Sequence, residues 1–331
     1  MATYKEIHGT DIEVVASDPS NPVVGEVWYN TTTQQLKGYR QAIGNAWSTG
    51  GNLNTARSQT GSSGTQSSTL SSGGYNGTAT TNVTESYNGS SWTEVADLNT
   101  ARRTHNQAGV DNTSALAFGG GFPNFANTES YDGTSWTEVN DLNTARAFIA
   151  GAGTQTLALA AGGGPPFYSA TETWNGTSWT EVNNLNTARY LAGNGGGTQT
   201  SAIVAGGSNP SSLTLTETWN GTSWFEVNDL NTARTHLAVT GANNTSALAT
   251  GGENDSSVKQ IATEVWNGTS WSEEGDLNTA RHYLSASGTS STGLAIGGDA
   301  APVTAATEEW NAGITVGAWI TGGNMNTARR S

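Results

Sequence analysis

The sequence predicts an all-β fold assembled from one repeated unit, and the main support is a short segment that recurs at a nearly constant interval. This segment, called the tag below, reads Leu-Asn-Thr-Ala-Arg, with Met for Leu in the last of its seven copies. The copies end at Arg57, Arg102, Arg146, Arg189, Arg234, Arg281 and Arg329. Successive spacings are 45, 44, 43, 45, 47 and 48 residues. A period in this range indicates a solenoid, a propeller or an array.

Each unit contains signals for four short strands. The first follows the tag and has a Gly seven places after the Arg, and the second is a short apolar run that ends in a Gly pair, as in 157–163. The third reads Thr-Glu-x-aromatic, with Tyr87, Tyr131, Trp174, Trp219, Trp266 and Trp310 as the aromatics. The fourth opens at Trp92, Trp136, Trp179, Trp224, Trp271 and Trp319. None of these runs is long or periodic enough for a helix.

The turn between the third and fourth strands supports the same unit. It contains Asn-Gly or Asp-Gly in five of the six units. These dipeptides favour a tight hairpin because both turn residues must accept a positive φ. Four antiparallel strands repeated at this period are typical of a β-propeller blade.

At these residues the chain resembles the kelch repeat over 52–331. The shared features are the Gly pair, the third-strand aromatic, the Trp after a short turn and the closing tag, although Ala stands where kelch closing segments usually have Pro. The resemblance implies a kelch-like β-propeller of four-stranded antiparallel blades.

Residues 1–51 span about one further period and decide the number of blades. Strands are predicted at 11–16, 25–29, 35–39 and 46–49, and the segment 38–47 parallels 308–319. We therefore predict that 1–51 forms a divergent blade, which gives seven blades closed by 324–331. The alternative is six blades, with 1–51 as a separate attachment arm.

Residues 18–39 carry a second resemblance. The pattern Pro-x-x-Gly-x-x-Trp-Tyr-Asn-Thr is similar to a short β-hairpin element of tailed-phage structural proteins, such as tail, fibre and decoration proteins. This resemblance implies a bacteriophage virion protein, assembled in the host cytoplasm, whose N-terminal segment contacts other virion proteins.

Composition excludes several classes of function. The net charge is −14, and seven of the 13 Lys and Arg residues are tag arginines, so no basic patch for nucleic acid is expected. The chain has no Cys, which rules out disulfides, thiol catalysis and the Cys-linked Tyr of kelch-type copper oxidases. No run approaches the roughly 18 apolar residues of a membrane span, and the N-terminus lacks the apolar core of a signal peptide.

The tag Arg and the third-strand Glu occur once in every unit. The glutamates are Glu85, Glu129, Glu172, Glu217, Glu264 and Glu308, while the corresponding position of the N-terminal segment is Lys37. A site that acts on one substrate is usually asymmetric, so a pair repeated in every blade indicates structural Arg–carboxylate bridges rather than catalysis. The fourth-strand tryptophans are likewise expected in the core between blades.

The histidines offer little support for an enzyme. His105, His236 and His282 follow a tag Arg at offsets of three, two and one, and His8 lies in the N-terminal segment. Because these offsets alternate between strand faces, we predict no shared metal site. The sequence also has no Ser/His/Asp set and no phosphate-binding Gly loop, and we predict no cofactor and no catalytic residue.

The loop between the second and third strands, the 2–3 loop, is the candidate binding site. The tag and the turn between the third and fourth strands are nearly constant, whereas the 2–3 loops share almost nothing. Variable loops on a rigid scaffold commonly carry binding residues. The candidates are Tyr75, Phe122, Phe125, Phe167, Tyr168, Leu213 and Lys259.

These observations together predict a non-enzymatic virion protein that presents a rigid propeller for binding. Attachment to a host-surface glycan or protein, as in a receptor-binding tail fibre, is the leading function. Capsid or tail decoration, through protein–protein interaction, is one alternative. A carbohydrate-acting enzyme is the other, and it would require an asymmetric acid/base cluster on one face. The oligomeric state is left open.

Overall fold

The computed structural model describes residues 13–19, 26–190 and 195–321. The chain divides into two compact units. The larger is Asn45–Ala312, and the smaller consists of Met1–Gly44 with Gly313–Ser331. The described residues are strands, turns and irregular segments, and none of them lies in a helix.

Five blades of the larger unit have the predicted four strands. Their bounds are β4 Gly61–Thr65, β5 Ser68–Ser72, β6 Thr84–Tyr87 and β7 Trp92–Glu94; β8 Asn106–Asp111, β9 Ser114–Phe118, β10 Thr128–Tyr131 and β11 Trp136–Val139; β12 Ala150–Gly153, β13 Ala158–Ala161, β14 Thr171–Trp174 and β15 Trp179–Val182; β16 Gly196–Thr198, β17 Ser201–Ala205, β18 Thr216–Trp219 and β19 Trp224–Val227; β20 Ala238–Asn243, β21 Ser246–Thr250, β22 Thr263–Trp266 and β23 Trp271–Glu273. Each blade is an antiparallel meander.

The sixth blade is completed by a strand from near the chain start. It contains β24 Ser285–Gly288, β25 Thr292–Ile296 and the first residues of β26 Thr307–Thr321, and its outer strand is the end of β3 Gln35–Thr49. Gly50 N donates to Thr307 O at 2.9 Å, and the rings of Trp47 and Trp310 lie 5.4 Å apart. The first strands of the blades neighbour one another in a closed cycle, so the larger unit is a six-bladed β-propeller.

The prediction of an all-β propeller of four-stranded blades is therefore confirmed. The number of blades is six, as in the alternative prediction. The prediction of seven blades is wrong, because the chain runs through 35–49 as one strand without the turn that a separate third and fourth strand would need. The prediction that Trp319 opens the fourth strand of the sixth blade is also wrong, since Trp47 occupies that place. Residues 324–331, which we expected to close the ring, lie outside the described residues.

The fourth-strand tryptophans show that Trp47 belongs to the repeat. Five of the six donate a hydrogen bond from Nε1 to the first Thr of the third strand in the preceding blade, and Trp136 is the exception. Trp47, Trp92, Trp179, Trp224 and Trp271 bond in this way to Oγ1 of Thr263, Thr307, Thr128, Thr171 and Thr216, at 2.9, 3.2, 3.1, 3.0 and 3.0 Å. Six apolar clusters fill the junctions between neighbouring blades. The blades are thus held together by a repeated core and a repeated polar contact.

The tag joins each blade to the next through its Arg. The Arg146 guanidinium lies 2.8 Å from Glu172 of the blade that the tag enters, while the Arg146 carbonyl accepts a hydrogen bond from Gly120 of the blade before. The other oxygen of Glu172 accepts from the backbone and side-chain nitrogens of Asn143 in the same tag. All six described tag arginines pair in this way with a third-strand Glu and are fully buried. Arg329 lies outside the described residues.

The described part of the smaller unit is a short sheet organised around Asp18. Strand β1 Glu13–Val15 pairs in parallel with β2 Val27–Asn30, and β2 pairs antiparallel with the start of β3. The Asp18 carboxylate accepts from Trp28 Nε1, Asn30 Nδ2 and Lys37 Nζ at 3.1, 2.7 and 2.7 Å. The hydrogen bond from Lys37, followed by those from Asn30 and Trp28, lowers the pKa of Asp18 to about 2.

Candidate functional site

The candidate site lies where the chain leaves each tag and enters the next first strand, a stretch called the 4–1 loop. The second residue after the tag Arg has a left-handed backbone conformation in every blade where it is described, with φ of 60° at Gln59, 58° at Thr104, 53° at Phe148, 54° at His236 and 54° at Tyr283. Such angles are uncommon outside glycine. Their repetition at one position indicates that the fold imposes them.

Backbone hydrogen bonds link these left-handed residues around the propeller axis. Gln59 N donates to Tyr283 O at 2.8 Å, Thr104 N to Gln59 O at 2.9 Å, Phe148 N to Thr104 O at 2.8 Å and Tyr283 N to His236 O at 3.0 Å. The residue after each tag pairs with the residue that follows a Gly pair, as in the bridges Tyr190–Ser208, Thr235–Glu253 and His282–Asp299. The 4–1 and 2–3 loops therefore meet on one face of the propeller, called the loop face below.

Aromatic side chains from several blades converge on the loop face. Ring centroids lie 5.5 Å apart for Phe122 and Phe148, 5.7 Å for Phe148 and Tyr190, and 4.7 Å for Phe167 and Tyr190, which are stacked. Phe148 lies 6.4 Å from His236, whose ring is 3.8 Å from that of Tyr283. Phe122 is 50% exposed. We call Phe122, Phe148, Phe167, Tyr190, His236 and Tyr283 the aromatic cluster.

Charged groups lie at both ends of the aromatic cluster. The Arg103 guanidinium is 5.0 Å from the Tyr75 ring and 5.2 Å from the Phe122 ring, which are cation–π distances. At the other end Lys259 pairs with Asp299 at 2.8 Å. The loop face thus combines apolar rings with fixed charges of both signs.

A histidine–glutamate–histidine group borders the cluster at its acidic end. Glu253 Oε1 lies 2.8 Å from His236 Nδ1, and Glu253 Oε2 lies 2.7 Å from His282 Nδ1. The three side chains are 9, 14 and 12% exposed in the order His236, Glu253 and His282. One potential ligand atom from each lies within 4.8 Å of the other two.

The titration of this group follows from its burial and contacts. Burial lowers the pKa of His236 below its usual value, which favours the neutral imidazole. The hydrogen bond with His236 lowers the pKa of Glu253 and keeps it ionised. Burial also raises the pKa of Tyr283, whose hydroxyl remains protonated.

The structure divides the predicted loop residues into two groups. Tyr75, Phe122, Phe167 and Lys259 reach the loop face, where each makes one of the ring or charge contacts above. Phe125, Tyr168 and Leu213 occupy a corresponding position in three 2–3 loops, and their carbonyls accept hydrogen bonds from the backbone N–H of Arg146, Arg189 and Arg234. Their backbones therefore hold the loop to the next tag, and whether their side chains bind anything stays a prediction.

The argument that the histidines alternate between strand faces is wrong for His236 and His282. These residues precede the first strands, and the positive φ of His236 breaks the extended alternation that the argument assumed. His105 lies elsewhere, buried at the junction of two blades with Nε2 3.2 Å from Ser72 Oγ. His8 lies outside the described residues.

Burial makes His105 a source of acid sensitivity. Desolvation, with smaller contributions from Arg102 and Arg57, lowers its pKa well below 6.5. As the pH falls, the unfolded chain therefore binds this proton before the folded protein does. The stability that neutral His105 contributes is present above about pH 6.5 and is lost as the pH falls below it.

We expect His105→Leu, which copies Leu237 and Leu284 at the same position of other blades, to make the free energy of unfolding less sensitive to acid. Below pH 6.5 the wild type should lose up to about 1.4 kcal/mol more per pH unit than the variant. Urea unfolding between pH 7.5 and pH 5.5 measures it; equal pH slopes for both proteins would contradict the assignment.

Sequence reasoning missed Arg103, Phe148, Tyr190, Glu253 and Tyr283. Glu253 opens one of the variable 2–3 loops. For the other four a signal was also present, because the three residues after each constant tag differ in every unit, as in Ser-Gln-Thr, Arg-Thr-His and Ala-Phe-Ile. Those positions were assigned to the first strand, so their variability was not compared with that of the 2–3 loops.

Comparison with known proteins leaves the loop face to be interpreted from its own chemistry. No protein-family model matches the chain, and no curated protein matches it. Among the residues that the structure describes, no helix is long and apolar enough to cross a membrane.

Proposed function

We propose that the chain is a non-enzymatic binding protein of a bacteriophage virion, and that the loop face of its propeller attaches to a glycan on the host surface. The observation that carries this proposal is the aromatic cluster, which brings half-buried and exposed rings from different blades together on one rigid face. Protein aromatics of this kind normally pack in the core or bind a ligand.

The chemistry of the loop face suits a sugar. Pyranose rings present C–H groups that stack on aromatic faces and hydroxyls that need polar partners. Phe122, Phe148 and Phe167 supply the first kind of contact, while Arg103, Glu253 and Asp299 lie at the two ends of the same cluster and supply the second. Attachment to a protein receptor would use the same rings as anchors.

The kelch and virion parts of the proposal rest on resemblance. The Gly pair, the third-strand aromatic and the tag favour a kelch-type propeller, and 18–39 is similar to a hairpin element of phage structural proteins. The hydrogen bonds of Asp18 give this hairpin its own organising centre, which suits a segment that contacts other virion proteins. Decoration of a capsid or tail remains the alternative virion role.

We expect the combined substitution Phe122→Ser and Phe167→Ser to weaken glycan binding at least tenfold with little change in stability. The double variant removes an exposed ring and a stacked one without touching the blade junctions. Fluorescently labelled full-length protein on an array of bacterial surface oligosaccharides measures the binding. Thermal melting of the same preparations measures the stability.

The matched control is Phe225→Ser, which removes a ring of similar exposure (51%) from a fourth strand outside the loop face. This variant should bind like the wild type. Undiminished binding by the double variant, or no wild-type signal on any oligosaccharide, would contradict the proposal.

A carbohydrate-acting enzyme is the second candidate, because the structure contains the kind of asymmetric acid/base cluster that this function requires. His236, Glu253 and Tyr283 lie together in two of the six blades. Incubating the oligosaccharides that bind with wild type and with Glu253→Gln, followed by mass spectrometry, separates the candidates. Conversion by the wild type that is lost in the variant would favour the enzyme over the binding protein.

A further inference from the structure

We infer that His236, Glu253 and His282 form a binding site for a divalent transition-metal ion of the Zn²⁺ type. Two imidazoles and one carboxylate are a common ligand set for such ions, and three protein ligands leave the fourth position of a tetrahedral ion open. This inference does not depend on whether the loop face binds a glycan.

The distances agree with a site that an ion would expand slightly. Zn²⁺ binds His nitrogen and carboxylate oxygen at about 2.0–2.2 Å, so tetrahedral ligand atoms lie about 3.4 Å apart. Here the two His–Glu distances are 2.8 and 2.7 Å, and all three ligand atoms lie within 4.8 Å of one another. Small side-chain rotations are therefore enough to accommodate the ion.

One unsatisfied ligand nitrogen points in the same direction. His282 Nδ1 lies 2.7 Å from the Glu253 carboxylate and is buried, yet the two groups are not aligned for a hydrogen bond. Buried polar atoms are nearly always paired in native proteins, and an ion is one explanation for an exception.

The surroundings support the ligands. Thr235 and Glu253 exchange two backbone hydrogen bonds at 2.9 and 2.8 Å, which fixes the chain next to His236 and at Glu253. His282 Nε2 lies 3.5 Å from Asp299 Oδ2, and Lys259 holds Asp299 at 2.8 Å. A carboxylate beside the second nitrogen of a ligating His is the usual arrangement that orients the ring toward a metal. The net charge of −14 also favours a cation.

Metal titration of the full chain tests the inference directly. The protein is purified without a polyhistidine extension, treated with a chelator and dialysed. It is then titrated with ZnCl₂ by calorimetry. We expect one equivalent to bind to the wild type, with affinity at least tenfold lower in Glu253→Gln and in His282→Gln. Asp255→Asn, which removes an exposed carboxylate two residues from Glu253, is the matched control and should bind like the wild type.

A second measurement keeps the test decisive if a variant fails to fold. Zn²⁺ should protect His236 and His282 of the wild type, and neither His8 nor His105, from modification by diethyl pyrocarbonate, as read by peptide mass spectrometry. The inference would be overturned if the wild type bound no stoichiometric Zn²⁺ or if Zn²⁺ protected neither His236 nor His282. It would also be overturned if the Glu253 and His282 variants bound Zn²⁺ as tightly as the wild type. Loss of glycan binding alone would not affect it.

Discussion

Arg146→Ala should lower the free energy of unfolding by about 3–5 kcal/mol, the range found when one partner of a buried ion pair is removed. The substitution leaves the Glu172 carboxylate buried without its cation and removes the guanidinium as a donor to the Gly162 carbonyl. The Ala170 carbonyl also loses the guanidinium but keeps its hydrogen bond from Gly162 N. Urea unfolding followed by tryptophan fluorescence measures the change.

The double variant Arg146→Ala with Glu172→Ala provides the control for this prediction. Because the two side chains form one network, their joint removal should cost far less than the sum of the single changes. A loss below about 0.5 kcal/mol in Arg146→Ala would show that the tag Arg does not hold the blades together, and additive losses would show that the two residues act independently.

Trp47→Ala should destabilise the protein by about 3–5 kcal/mol as well, because it removes a large side chain from a packed core. Trp47 is 7% exposed, packs with Leu277 and Trp310, and donates to Thr263 of the preceding blade at 2.9 Å. The loss weakens the one blade whose strands come from both ends of the chain.

Trp92→Ala is the matched comparison, since Trp92 makes the same contact with Thr307 at the neighbouring junction. The two variants should melt at similar temperatures, and Phe225→Ala, which removes an exposed ring, should melt like the wild type. A nearly silent Trp47→Ala beside a damaging Trp92→Ala would contradict closure of the ring by residues 45–49.

The repeat made the blade predictable to the level of individual contacts. Asn-Gly turns, Gly pairs and the Thr-Glu-aromatic strand are local signals, and six copies in phase reinforce one another. The pairing of Arg146 with Glu172 also followed from repetition, because groups present once in every blade have the same neighbours in every blade.

Ring closure was not predictable in this way because it is a single long-range event. The segments that end at Trp47 and Trp319 look alike in sequence, and either could supply the outer strand of the sixth blade. Only the packing of Trp47 against Trp310 and its bond to Thr263 distinguish them.

Only part of the candidate site was predictable, and the reason differs from that for ring closure. Tyr75, Phe122 and Phe167 were found because their loops vary visibly. Tyr283 was hidden next to a constant tag, and His236 was named but placed on an extended strand. Their left-handed conformation, which brings them together with His282 and Glu253, has no signature in residue type: the same position holds Gln59, Thr104 and Phe148 in other blades.

The central claim, that the loop face is the binding surface, is tested most directly by hydrogen–deuterium exchange of the full chain. The exchange is measured with and without the oligosaccharide that gives the strongest array signal. We predict slower exchange in the 2–3 and 4–1 loops, at 121–125, 147–149, 164–168 and 282–284, and no change in the opposite turns at 132–135, 175–178 and 220–223. Protection of those turns with unchanged exchange in the loops would contradict the claim.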